Sequence, residues 1–105
     1  MLYVNIMRAT SASYSMPPEQ RARLLSAQAV YIDKYVKMGK FKYLYCSIDL
    51  KNFIIVWEAE TGEEAARIFS EAPLARYMDI EVLPCVDYDT WLKVMAEAAK
   101  KTAAN

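Results

Sequence analysis

Apolar residues in this chain follow two rhythms. Residues 2–9, 41–48 and 53–59 are short runs rich in β-branched and aromatic side chains, and each predicts a strand. Residues 17–38 instead place Leu24, Gln28, Tyr31 and Tyr35 on one stripe at three- and four-residue spacing, which predicts a helix. Pro17 and Pro18 suit its first turn, where the backbone N–H groups have no partner anyway, and Glu19 complements the positive end of the dipole. Gly39 stops it, with Lys34 and Lys37 just before. Residues 10–16 are small and polar and read as a loop. Residues 49–52 join the second and third strands as an antiparallel hairpin. Thr61 and Glu64 have capping-box spacing and open a second helix that runs to residue 72. Ala65, Ile68, Phe69 and Ala72 form its stripe, and Pro73 ends it. Residues 78–84 predict a fourth strand. Residues 89–100 predict a last helix with Trp91, Val94 and Met95 on one side, followed by a frayed tail.

The order β-α-β-β-α-β is that of a ferredoxin-like α+β fold: an antiparallel four-stranded sheet with two helices on one face, here with a C-terminal helix added. Residues 1–105 form one domain, with 1–86 as the core and 87–105 as the C-terminal helix and tail. In this topology the second and fourth strands are opposite edges, so Cys46 and Cys85 lie beyond the roughly 7 Å that a disulfide spans. A monomeric sheet of this kind should alternate apolar and polar residues. The hairpin does not. Phe41, Tyr43 and Tyr45 share one parity and Leu44, Cys46 and Ile48 the other, while Phe53, Ile55 and Trp57 oppose Ile54 and Val56. At about 25 cal/mol per Å² of apolar surface, leaving either set in water is unfavourable by several kcal/mol. The expectation is a homodimer with its sheets face to face, open to further assembly.

Charge and composition narrow the function. Thirteen basic and thirteen acidic residues cancel, and no basic cluster forms the footprint of a nucleic-acid binder. No apolar run reaches the roughly 18 residues of a membrane span. The opening Met1-Leu2-Tyr3-Val4-Asn5 lacks the pattern of a signal peptide, so the chain reads as cytoplasmic. There is no histidine, and the two cysteines lack metal-ligand spacing. Imidazole metal sites and Ser-His or Cys-His nucleophiles are therefore excluded, and acid–base chemistry falls to Asp, Glu, Tyr, Lys, Cys or water.

Pro73, Leu74 and the run Tyr77-Met78-Asp79-Ile80-Glu81-Val82 resemble the corresponding segment of muconolactone isomerases, which are dimeric α+β barrels. The likeness extends more weakly over residues 1–86, through the Met-Leu start, Gly39, and Leu44 between Tyr43 and Tyr45. The resemblance implies stacked small subunits and a pocket for a compact lactone carboxylate. It also implies a proton shift beside a carbonyl, with no metal or cofactor. On an ungapped reading an acidic residue of that family falls at Gln28, and its basic and imidazole side chains fall near Lys42, Tyr43 and Cys46. Glutamine can orient a carbonyl but is no base near neutral pH.

The candidate catalytic residues are Gln28 and Glu81. Gln28 is either a core glutamine bonded to backbone or a hydrogen-bond donor in a pocket. Asp79 and Glu81 project from one side of an edge strand, as solvated or interface carboxylates or, if buried, with Glu81 as the base. Candidate substrate contacts are Asn5, Arg8, Tyr31, Tyr45 and Trp57. Arg8 could clasp a carboxylate or pair with Glu81, and the aromatic residues could line a cavity or pack an interface. The expected function is muconolactone isomerase-like: isomerisation or cyclisation of a small oxygenated molecule by proton transfer. A cofactor-free oxygenase of an aromatic polyketide-like compound and a non-catalytic ligand-binding barrel are the alternatives. The expected partners are a second copy and a small organic ligand, with neither nucleic acid nor membrane.

Overall fold

A computed structural model describes residues 1–104, with side chains through residue 102. The elements are β1 (Leu2–Ala9), α1 (Ser11–Tyr14), α2 (Pro18–Lys37), β2 (Phe41–Cys46), β3 (Phe53–Glu58), α3 (Gly62–Ser70), β4 (Met78–Cys85) and α4 (Tyr88–Ala104). A short 3-10 turn, Ala75–Tyr77, leads into β4. The four strands form one antiparallel sheet in the order β2-β3-β1-β4, so the expected ferredoxin-like α+β architecture is the one observed. Cys46 and Cys85 lie on opposite edge strands, and both are free thiols.

The inner face of the sheet meets α2 and α3. Tyr3, Met7, Phe41, Ile55 and Trp57 are buried there with Tyr35 of α2 and with Ala65 and Ile68 of α3. Aromatic rings dominate the contact: Tyr3 stacks on Trp57 at 4.7 Å, and Phe41 lies between Tyr31, Tyr35 and Trp57 at 5.4–6.3 Å. Helix α2 ends as its sequence dictates. Gly39 has φ +74°, its N–H bonds the Val36 carbonyl at 3.0 Å, and the Lys40 N–H bonds the Tyr35 carbonyl at 2.9 Å. This is a Schellman closure, for which glycine carries no Cβ penalty.

Several local expectations required correction. The expected loop 10–16 contains the one-turn helix α1, because the Thr10 hydroxyl accepts from the Ser13 N–H and caps it. Strand β2 stops at Cys46, where Ser47 and Asn52 close the connection through paired backbone and hydroxyl hydrogen bonds, so Ile48 lies fully exposed in the loop. The parity expected for β2 breaks at a bulge. Phe41 faces Trp57 but Tyr43 faces Val56, so Phe41 is buried while Tyr43 and Tyr45 point to the outer face and stack on each other. The capping box at α3 is half made. The Thr61 hydroxyl accepts from the Glu64 N–H at 3.0 Å, but the Glu64 carboxylate pairs with Lys40 at 2.7 Å. Helix α4 is longer than expected and helical through Ala104, with Asp87 capping it through the Thr90 N–H at 2.7 Å; residue 105 lies outside the described residues. Its apolar residues Trp91, Leu92, Val94 and Met95 are all exposed, and the chain measures 63 × 28 × 23 Å.

The C-terminal end of α3 is tied to α2 by charge. Glu71 accepts a short hydrogen bond from the Tyr35 hydroxyl and pairs with Lys34 at 3.3 Å. Those bonds, the Tyr35 one foremost, hold the Glu71 carboxyl below the usual glutamate range. Burial, and then the Glu71 bond, push the Tyr35 hydroxyl up. A depressed carboxylate stabilises the fold above its unfolded pKa, and that stability is lost as pH falls through the folded value. A raised phenol stabilises below its unfolded pKa and loses that contribution as pH rises through the folded one. Glu71→Gln should therefore lower the urea midpoint at neutral pH and flatten its fall on acidification below about pH 4.3, the ordinary glutamate pKa. Parallel acid curves for the two proteins would show that the tie carries no stability.

Candidate functional site

Two of the cavities that border the sheet lie on its opposite faces. The inner one, of about 380 Å³, opens between α2, α1 and the end of the sheet where β1, β3 and β4 meet. Met7, Met16, Leu25, Ile32, Phe53 and Met78 make it apolar, and Ser13, Arg21 and Gln28 are its polar side chains. No Asp or Glu lines it among the described residues. Such a site, apolar with a few convergent donors, has the character of a small-molecule pocket.

Gln28 is its most constrained polar group. The side chain is only 6 % exposed, and its Oε1 accepts from the Leu74 N–H at 3.2 Å. Because a backbone N–H can only donate, this bond assigns the carbonyl end of the amide. The NH₂ group has no partner among the described residues, and it is not sealed off from solvent. The Pro73-Leu74 exit from α3 thus holds by its oxygen an amide of α2 that belongs to the cavity wall.

The outer cavity, of about 300 Å³, is lined by Ile6, Arg8, Asp79 and Glu81. In the β1–β4 register Arg8 lies opposite Asp79 and Ile6 opposite Glu81, so all four side chains share the face that turns away from the helices. Arg8 donates through Nε to Asn52 Oδ1 in the hairpin loop, and no Arg8–Glu81 ion pair forms among the described residues. Gln28 and Glu81 therefore lie on opposite faces of the sheet and do not meet within one subunit.

The remaining candidates divide between core and surface. Asn5 is buried and its Oδ1 accepts from Trp57 Nε1 at 2.9 Å, so the amide oxygen satisfies the indole N–H beneath the helices. The Tyr31 hydroxyl donates to the Ile68 carbonyl at 2.7 Å, and burial drives its pKa upward, with the charges of Tyr35 and Glu71 adding to the shift. Tyr45 is 57 % exposed on the outer face. Tyr31, Tyr45 and Trp57 thus line no common cavity. Arg21 and Ser13 were absent from the sequence-based candidates. Arg21, Leu25, Gln28 and Ile32 follow one another at four-, three- and four-residue spacing, a helical stripe that names the cavity wall once the polar Gln28 is taken as its centre.

Comparison with known proteins places this geometry. The family model described as muconolactone delta-isomerase matches residues 1–90. The chain belongs to the muconolactone isomerase family. Among the relatives of this family, the muconolactone delta-isomerase of Acinetobacter baylyi is 29% identical over 69 residues, covering 66% of this chain and 72% of that protein. A crystal structure of muconolactone isomerase superposes with a TM-score of 0.74 at 20% identity, covering 84% of this chain and 91% of that one. The 5-chloro-2-hydroxyhydroquinone dehydrochlorinase of Burkholderia phenoliruptrix AC1100, solved with 2,5-dihydroxybenzoquinone, superposes at 0.65 with 15% identity, covering 86% of this chain and 98% of that one. At these identities the two structures establish the fold that the family shares. The family match ends within the first turn of α4, so most of that helix lies beyond it.

The Asn5–Trp57 pair gives a stability test. Asn5→Leu strands a buried indole N–H, which costs about 1–3 kcal/mol. Chemical denaturation should show that loss, and adding Trp57→Phe should recover part of it. A pair of losses that simply add would show the hydrogen bond to be energetically idle.

Proposed function

We propose that this muconolactone isomerase family member is an enzyme that isomerises or cyclises a small oxygenated substrate by proton transfer, using only its own side chains and water. What supports this reading is Gln28: a buried amide, pinned through its oxygen, that presents N–H donors to an apolar cavity. A carbonyl oxygen placed there gains hydrogen bonds as it becomes an enolate oxygen, which is where electrostatic stabilisation accelerates a proton shift. In such a shift one C–H bond beside the carbonyl breaks and another forms further along the conjugated system, with no change in oxidation state. Since no carboxylate lines the cavity, the proton travels on bound water or on the substrate's own ionised oxygen. Glu81, on the outer face, could act only on a ligand held with Arg8 and Asp79. The dihydroxybenzoquinone bound by the dehydrochlorinase of the same fold is a compact oxygenated ring of the size this cavity admits.

One observation favours a second reading. Among the described residues the cavity's only ionisable side chain is the cation of Arg21, a composition equally suited to a barrel that binds a ligand without turning it over. Muconolactone in D₂O separates the two. The enzyme reading expects deuterium uptake beside the carbonyl by NMR and at least about 100-fold slower uptake in Gln28→Leu, the usual scale for losing one oxyanion donor. An unchanged rate in that variant would remove Gln28 from the site, whereas binding without exchange by the wild type would favour the binder.

We also infer a homodimer joined through the outer face of the sheet. Val4, Ile6, Ile54 and Val56 form an apolar centre there, flanked by exposed Tyr43, Tyr45 and Leu83, and no element of the same chain covers them. The exposed apolar residues of α4 add surface for a second copy to cover. The free thiols of Cys46 and Cys85 suit a reducing compartment, and we read the chain as cytoplasmic. Sedimentation equilibrium should give at least a dimer at micromolar concentration, and Ile54→Asp should shift it toward monomer. A folded wild-type monomer at that concentration refutes the interface.

A further inference from the structure

We propose that Arg21 is the anion receptor of the Gln28 cavity, so that its ligand is a compact apolar molecule carrying a carboxylate or an equivalent ionised oxygen. This rests on the reading of that cavity as the ligand site, and adds to it the residue that receives the carboxylate which the family resemblance already implies.

Arg21 lies two helical turns before Gln28 on the same stripe of α2, and both line the cavity. One terminal nitrogen, Nη2, donates to the Tyr14 carbonyl at 2.7 Å, to Ser13 at 3.2 Å and, at the limit, to Met16 at 3.5 Å. These carbonyls end α1 and begin the loop after it, so they fix the guanidinium in place without neutralising it. A guanidinium has five N–H donors, of which Nη2 carries two. The other three, on Nε and Nη1, have no partner among the described residues.

The charge is unmatched as well. Lys34, Lys37, Lys40, Lys42 and Arg67 each pair with a carboxylate, whereas Arg21 pairs with none among the described residues. It is nevertheless half-buried beside an apolar wall that holds no acid. A cation in that setting is unfavourable until an anion joins it, and the planar fork of Arg suits a carboxylate two bonds at a time. Gln28 is 6 % exposed as a residue, and its NH₂, with no partner among the described residues, is the second donor of the same cavity. An ionised oxygen on Arg21 and a carbonyl or hydroxyl oxygen on Gln28 would hold a ligand by both ends, with Met7, Phe53 and Met78 against its apolar middle.

The alternative is that Arg21 only fastens α1 to α2. Calorimetric titration of the full chain with 4-hydroxybenzoate and with its neutral counterpart 4-hydroxybenzamide separates the two roles. The wild type should prefer the acid at least about tenfold, as charge-assisted hydrogen bonds allow, and the preference should shrink with added salt. Arg21→Gln should abolish the preference, Arg21→Lys should keep part of it, and Gln28→Leu should weaken acid and amide alike. Equal affinity of the wild type for the two probes, or a preference that survives in Arg21→Gln, would leave Arg21 a loop fastener while the cavity reading stands. Failure of the wild type to bind either probe, with Gln28→Leu equally silent, would overturn the cavity reading itself. Should Arg21→Gln fail to fold, the salt response of the wild type and the retained preference of Arg21→Lys decide.

Discussion

Two helices cover one face of this four-stranded sheet, and the opposite face is also rich in apolar side chains. That constraint organises the rest. On the inner face, Trp57, Ile55 and Phe41 lie under α2 and α3 in a core made largely of rings, which pack as flat plates and leave an apolar gap where α1 and the start of α2 meet the end of the sheet. On the outer face, Val4, Ile6, Ile54 and Val56 are half-buried beside two stacked tyrosines. The proposed small-molecule site is the inner gap, and the proposed contact with a second copy is the outer surface.

The polar groups of the interior show which part of this layout is structural. Asn5 and Trp57 bond each other, the Tyr31 hydroxyl bonds the Ile68 carbonyl, and the Tyr35 hydroxyl bonds Glu71. Each satisfies a group that burial would otherwise penalise. Gln28 is set apart by its place: its oxygen holds the Leu74 N–H while the residue lines the inner cavity. It also lies at the position where the resemblance to muconolactone isomerases places an acid.

Much of the architecture was legible in the residues, because strand and helix periodicity, proline and glycine punctuation and the capping Thr61 all agree on where elements begin and end. What escaped were features set by single tertiary contacts. The α1 turn depends on one hydroxyl of Thr10, and the early end of β2 on Ser47 and Asn52. The site was less readable. Gln28 could be named because it is polar on an apolar stripe, but Asn5 and Trp57 were equally plausible until the structure paired them. Arg21 passed unnoticed because an arginine in the first turns of a helix usually faces water, and only the folded loop of α1 brings carbonyls around it. Glu81 was separated from Gln28 by strand register, which alternation along a strand indicates but which only pairing with β1 assigns to a face.

The irregularity at Lys42 has a reach beyond its one extra residue. It places a phase shift inside a single strand, so that an aromatic in the hearth of one subunit and two aromatics on its façade can be neighbours in sequence. Mutation can then reshape the façade at Tyr43 and Tyr45 without disturbing Phe41, so the outward surface of the edge strand is free to change while the ring-lined interior stays as it is.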